Sequence, residues 1–289
     1  MTKQSIPTIG FIGAGTTGTA LAVRLAQHGY PVIAVSSLSL TSAQKLASKI
    51  NNCKIYSRAQ DVADVARLVF ITTPDDVISH VASEVKWHEG QSVVHCSGAH
   101  SVDILEPARK RGARTGCFHP LQTFASTDHA IENLPGSTFA IEAEEPLASW
   151  LKDMATKLEG DWVILKAGDK VLYHAAAVIA CNYLVTLVKL ATDLWQTFDV
   201  PPAQAADALM PLLRGTLSNI DNVGLPICLT GPIARGDLGT ISRHLESIAK
   251  QAPALLTIYK ELGRQTIPIA LAKGRINSQT AEEMKALLT

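Results

Sequence analysis

One short segment, Gly13-Ala14-Gly15-Thr16-Thr17-Gly18, constrains this chain more than any other. An apolar run containing Ile9, Phe11 and Ile12 precedes it and reads as a buried strand. The stretch that follows, TALAVRLAQH at 19–28, reads as an apolar-striped helix. Glycines spaced G-x-G-x-x-G between a strand and a helix have a specific physical reading. Gly13 allows the tight exit from the strand, Gly15 lets the backbone approach a pyrophosphate, and Gly18 lets the helix pack close to the strand. A pyrophosphate would rest on the free N–H groups at the helix start, with Ala14, Thr16 and Thr17 completing the cradle. The alternative is a glycine-rich turn that binds nothing.

The chain has 289 residues, enough for two domains and a sizeable core. Apolar residues make up 47% and charged residues 18%, the balance of a soluble globular protein. Net charge is zero, from 26 basic and 26 acidic residues, and no basic run or tail is present, which argues against nucleic acid or an anionic membrane as partner. Five scattered cysteines without a C-x-x-C pair suggest reduced thiols, a cytoplasmic location and no metal site. No basic region followed by a long apolar run precedes the first strand, so no signal peptide is expected. The most apolar stretch, 175–188, contains Asn182 and Tyr183 and reads as a buried core helix rather than a membrane span.

Along the chain, strands and helices alternate as far as Leu165. The second strand, 31–35, ends in Ser36-Ser37-Leu38-Ser39, with Thr41 as the expected cap of a helix over 42–50. About 20 residues after the glycines, an NAD site usually presents Asp or Glu to the ribose. Ser36 and Ser37 stand there instead, and small hydroxyls can donate to a 2′-phosphate that a carboxylate would repel. NADP is therefore favoured over NAD. The continuous apolar run 67–72 suits a central parallel strand and ends in Thr73-Pro74-Asp75-Asp76. The next strand, 91–95, exits into Cys96-Ser97-Gly98. Both loops fall at the carboxyl edge of the sheet, where the cofactor's second half would run. Further strands are expected at 114–118, 137–141 and 162–165. Beyond Leu165 only helices are expected: 169–198, 203–222, 237–250, 254–273 and 278–288. The reading is a doubly wound α/β domain over 1–165 and an all-α domain over 166–289.

Four clusters could carry chemistry. Lys170 and His174 lie four apart and share a helix face, where they could supply a proton or hold a substrate carboxylate. Asn182 interrupts an apolar run, about 80° round from His174; it either caps a loop or bonds ligand. Tyr173, with Ala177, Leu184 and Ala191, reads as a core stripe. His95, Ser97 and His100 form the second cluster, with Ser97 and Gly98 expected to line the cleft. His119, Gln122 and Thr123 offer three hydrogen-bonding side chains on one loop, which is either structural or a substrate contact. In Leu229-Thr-Gly-Pro-Ile-Ala-Arg-Gly-Asp237, Asp237 suits a helix cap and Arg235 could reach an anionic ligand. No hydrolase or paired-cysteine metal motif is present.

Taken together, Thr73-Pro-Asp75, His95-Cys-Ser-Gly98, Phe118-His-Pro-Leu-Gln-Thr-Phe124, Lys170-x-x-Tyr-His-Ala-Ala176, Asn182-Tyr-Leu and the 229–237 segment span nearly the whole chain. With the glycine pattern, they resemble the family that joins a Rossmann-like domain to a C-terminal helical domain of unknown function. That family is related to pyrroline-5-carboxylate reductase, ketopantoate reductase and the β-hydroxyacid dehydrogenases. The resemblance implies a C-terminal domain like that of 6-phosphogluconate dehydrogenase, a nicotinamide site at the glycine loop, a substrate cleft between domains and a homodimer. The β-hydroxyacid dehydrogenases carry an Asn four residues after their Lys; here that position holds His174. The expected activity is NADP(H)-dependent hydride transfer to or from a small carbonyl or imine. Lys170 or His174 would move the proton, Asn182 would orient the substrate, and His119, Gln122 and Arg235 are further substrate contacts. The rivals are a nucleotide-binding sensor without turnover and an F420-dependent reductase.

Overall fold

The runs IGFI, LVFI and SVVH are buried at every position, as strands must be when helices cover both faces of a parallel sheet. They are β1 (Ile9–Ile12), β4 (Leu68–Ile71) and β5 (Ser92–His95) of a computed structural model that describes residues 6–166 and 168–289. Between them come α1 (Thr16–Gln27), β2 (Val32–Ser36), α2 (Leu40–Ala47), β3 (Lys54–Tyr56), α3 (Ala59–Val65) and α4 (Asp75–Glu84). After β5, a 3-10 turn (Val102–Leu105) and α5 (Glu106–Arg109) lead to β6 (Arg114–Leu121), α6 (Thr127–Asn133), β7 (Thr138–Ala143), α7 (Leu147–Lys157), β8 (Asp161–Ile164) and α8 (Asp169–Ala180). The eight strands form one sheet in the order β3-β2-β1-β4-β5-β6-β7-β8. All neighbours are parallel except β6 and β7.

Crossing from β1 to β2 on one side and to β4 on the other makes the carboxyl ends of β1 and β4 the switch point of the sheet. One face carries a row of aromatic rings. Phe11 stacks on Phe70 at 5.1 Å and Phe118 on Phe139 at 4.5 Å, with Phe70 and Phe118 6.2 Å apart. Leu21 and Leu25 of α1 and Leu151 and Met154 of α7 close that core. On the other face Ile12, Val69, Ile71 and Val93 pack against Val62 of α3 and Ile78 and Ala82 of α4.

The chain divides into two compact units, Met1–Cys181 and Asn182–Thr289. Strand structure ends at Ile164, beside the boundary expected at residue 165, whereas α8 groups with the sheet. The second unit holds α9 (Asn182–Gln196), α10 (Pro202–Val223), α11 (Pro232–Arg235), α12 (Leu238–Gln251), a 3-10 turn (Pro253–Leu255), α13 (Leu256–Ala272) and α14 (Ser278–Leu287). Ile241, Ile267, Ala281, Met284 and Leu288 form its core.

Several expectations are corrected. The helix at 169–198 breaks at Cys181 into α8 and α9. Its apolar stretch is not a buried core helix: Val185 is 68% and Ile179 63% exposed. Asp169–Gln196 is long and apolar enough to cross a membrane by length and composition, its most apolar window having a mean hydropathy of 1.8 and no buried residue, although Lys170 and Thr192 of the same segment are buried. Among the described residues, Val171, Leu172, Ile179, Tyr183, Val185 and Leu187 of these helices stay exposed. The α2 helix starts two residues early because Ser39, not Thr41, caps it by accepting from the Ser42 N–H at 3.2 Å. β6 runs on through His119 to Leu121, since β7 pairs with it antiparallel along that length, so His119 belongs to a strand and not to a loop.

Candidate active site at the carboxyl edge of the sheet

The three glycines do different work. Gly13 has φ +107°, and a Cβ there would fall 2.6 Å from the Thr72 carbonyl carbon. At Gly18 a Cβ would meet Thr72 Oγ1 at 2.3 Å and the Gly13 oxygen at 2.9 Å. Thr72 Oγ1 donates to that same oxygen at 2.8 Å, tying the loop to the end of β4. Both positions are therefore packed solid. Gly15 differs: it is exposed, and a Cβ would find only the Thr72 oxygen, 4.0 Å away. As N-cap of α1 it offers no side chain, so the N–H groups of the helix's first turn have no side-chain cap. Such a terminus favours an anion.

Beside this loop lies a cavity of about 510 Å³, lined by Ala14, Thr19, Ser42, Lys45 and Lys49. The two lysines were not singled out from sequence; Lys45 lies in the last turn of α2 and Lys49 just beyond its end. Ser36 ends β2 and is only 4% exposed, with its carbonyl accepting from the Gly13 N–H at 2.8 Å. Ser37 is partly exposed. On the next loop Thr73 is partly buried and Pro74 is exposed and precedes α4. The Thr73 Oγ1 atom is buried without a hydrogen-bond partner among the described residues.

Ser97 acts as a clasp. Its hydroxyl donates to Asp75 at 2.8 Å and accepts from the N–H groups of Ala99 and His100, each at 3.1 Å. The loop after β5 is thereby tied to the start of α4. His95 Nδ1 accepts from the Ser97 N–H at 3.2 Å, which puts the proton of the neutral ring on Nε2. Burial, then Lys170, push His95 from its ordinary 6.5 down to about 3.

The first turns of α8 converge with β6 and Gly98. A Cβ at Gly98 would lie 2.7 Å from His119 Nε2 and 2.8 Å from His174 Nδ1. Only glycine seats both rings there. His119 Nδ1 and the Tyr173 hydroxyl share a 2.7 Å hydrogen bond. Lys170 is 1% exposed; its ammonium donates to Cys117 Sγ at 2.9 Å and sits 5.4 Å from the Tyr173 ring centre. No carboxylate pairs with it among the described residues. Burial, followed by Lys170 and His174, brings His119 to about 3. Burial also lifts the Cys117 thiol to about 11 against the pull of Lys170, and raises Tyr173. Near neutrality both histidines are uncharged and Tyr173 keeps its proton. His174 Nδ1 is buried with no partner among the described residues.

The structure thus brings Gly98, His119, Lys170 and His174 together and adds Cys117 and Tyr173. Tyr173 is a correction: it stands against His119 rather than in a core stripe. Its i, i+3 spacing from Lys170 held that signal. Cys117 carried none, since it reads as one more apolar strand residue. Gln122 turns away, with its amide Nε2 donating to the Asn133 carbonyl at 3.4 Å. Asn182 and Arg235 are exposed residues of the second unit.

Residues 2–120 match the Rossmann-like domain and residues 137–266 match DUF2520, a domain of unknown function. No curated protein matches the sequence. Among solved structures, a candidate NADP oxidoreductase from Bacteroides fragilis is 26% identical with a TM-score of 0.69, covering 91% of this chain and 98% of that one. A reductive aminase from Aspergillus terreus, in complex with NADPH and ethyl levulinate, is 16% identical with a TM-score of 0.65, covering 98% of this chain and 99% of that one. A pyrroline-5-carboxylate reductase from Coxiella burnetii is 15% identical with a TM-score of 0.61, covering 97% and 99%. The two matches thus place a Rossmann-like domain and, after it, DUF2520 in one chain.

Proposed function

We propose that this protein is an NADP(H)-dependent oxidoreductase acting on a small carbonyl or imine. The observation that carries the reading is the contrast among the glycines. Gly13 and Gly18 are filled by their own neighbours, whereas Gly15 is open beside an uncapped helix start. Ala14, Thr16 and Thr17 share that loop and would hold the pyrophosphate. Ser37 and Ser36, at a strand end that lacks a carboxylate, would face the 2′-phosphate, and Lys45 lines the cavity beside the glycine loop. Thr73, Pro74, Ser97 and Gly98 would flank the nicotinamide half. The likeness to the Bacteroides fragilis protein supports the cofactor class.

Bound NADPH would supply the hydride. The chain's own residues would supply the proton and the orientation. Lys170 is enclosed and already engaged with Cys117, so it acts on its neighbours through charge. His174, with its unpartnered Nδ1 beside Gly98, is the proton-transfer group, and the Tyr173–His119 pair holds the wall next to it. The exposed apolar side chains of α9 and α10 support a homodimer formed through the second unit.

Titration with NADPH, followed by nicotinamide fluorescence or melting temperature, tests the reading. Saturable micromolar binding, tighter for NADPH than for NADH, is the expected result. No shift with NADPH, NADH or reduced F420 on monodisperse protein would overturn it. Binding without NADPH oxidation across keto acids, aldehydes and imines would favour a sensor instead.

A further inference from the structure

The second unit contains a cavity of about 410 Å³, lined by Thr230, Gly231, Ala234, Arg235, Lys273 and Arg275. Three of these residues are cationic and none is acidic, in a chain whose net charge is zero. Arg235 and Arg275 make no ion pair among the described residues. The acid of the same loop, Asp237, accepts from Thr240 N–H at 2.9 Å and Thr240 Oγ1 at 2.7 Å with its two oxygens, and its carboxyl is held below its ordinary value first by those bonds and then by the nearby charges of Arg235 and Arg243. The Lys273 ammonium is fixed in place by donating to the carbonyls of Ile227 at 2.7 Å and Leu229 at 2.6 Å. The loop itself is shaped by glycines, Gly231 at φ +96° and Gly236 at φ +67°.

Three like charges held round one concavity repel each other unless an anion joins them. Guanidinium forks suit carboxylate and phosphate oxygens, which they can bind in bidentate fashion. The volume is that of a small-molecule site. We infer that this cavity is an anion-binding site for a small carboxylate- or phosphate-bearing molecule, with Arg235 and Arg275 as its recognising groups and Lys273 as a fixed charge. The site lies wholly within the second unit and does not depend on what the glycine loop binds.

Calorimetric titration of the full chain with inorganic phosphate, and separately with pyruvate, tests this at constant ionic strength with chloride as the control. Saturable binding of either probe supports the site, and the tighter one identifies the preferred anion chemistry. Arg235→Gln and Arg275→Gln should each weaken that binding about tenfold while the protein still melts cooperatively. NADPH titration of the same variants separates the two sites: unchanged NADPH affinity with lost anion binding assigns the effect to the cavity. Absence of saturable binding of both probes, or binding undiminished in both variants, overturns the inference.

Discussion

The ammonium of Lys170 donates to Cys117 Sγ at 2.9 Å, across 53 positions of sequence, with both side chains essentially closed to solvent. A buried cation satisfied by sulfur rather than by a carboxylate contributes little to stability, because its desolvation is only partly offset. Lys170→Met keeps the length of the side chain and removes the charge. It should leave the melting temperature unchanged or raise it. If the site is catalytic as proposed, NADPH turnover should fall at least about a hundredfold. Unaltered turnover with intact folding would remove Lys170 from the mechanism.

The glycine loop separates folding from binding. Gly13→Ala and Gly18→Ala each force a Cβ into Thr72 and should cost about 2–4 kcal/mol of stability, seen in urea denaturation. Gly15→Ala meets only the Thr72 oxygen, at an ordinary contact distance of 4.0 Å, and has no positive φ to lose. Its stability should stay within about 0.5 kcal/mol of the parent, while NADPH affinity drops through steric exclusion. A Gly15→Ala protein that binds NADPH normally would place the pyrophosphate elsewhere.

Acid should destabilise the first unit before its carboxylates titrate. His95 and His119 are held near 3 when folded, against 6.5 when exposed. Between those values the unfolded chain binds protons that the folded one does not, so stability falls as pH is lowered through about 6 toward 4. For fully buried His95 the loss is on the order of 3 kcal/mol over that interval. Denaturant midpoints measured across the range should show the slope, and His119→Gln should make it shallower. A flat profile would mean that both rings reach water.

Exposed apolar residues on α9 and α10 make a further demand. Val185 is 68% and Leu212 66% exposed. If a second copy covers them, sedimentation velocity in detergent-free buffer should show a dimer, and Val185→Asp with Leu212→Asp should yield a monomer of unchanged NADPH affinity. A monomeric parent protein would refute this assembly.

Much of the molecule was legible in sequence because the signals were local. Apolar runs marked the strands, and the spacing of Gly13, Gly15 and Gly18 marked the loop. The fall-off of strand patterns after Leu165 marked where the sheet ends. Helix starts were misjudged where one hydroxyl competes with another, as Ser39 does with Thr41. The length of β6 was missed because it depends on its antiparallel neighbour β7.

By itself, then, the sequence determined the alternating strand and helix units and the position of the glycine turn, since both follow from short-range sterics and periodic burial. Tertiary structure alone decided that Tyr173 meets His119, that Lys170 meets Cys117, and that Gly98 must stay without a side chain. Those contacts join residues from distant strands and helices, and no local pattern encodes a distance that exists only once the sheet has closed around it.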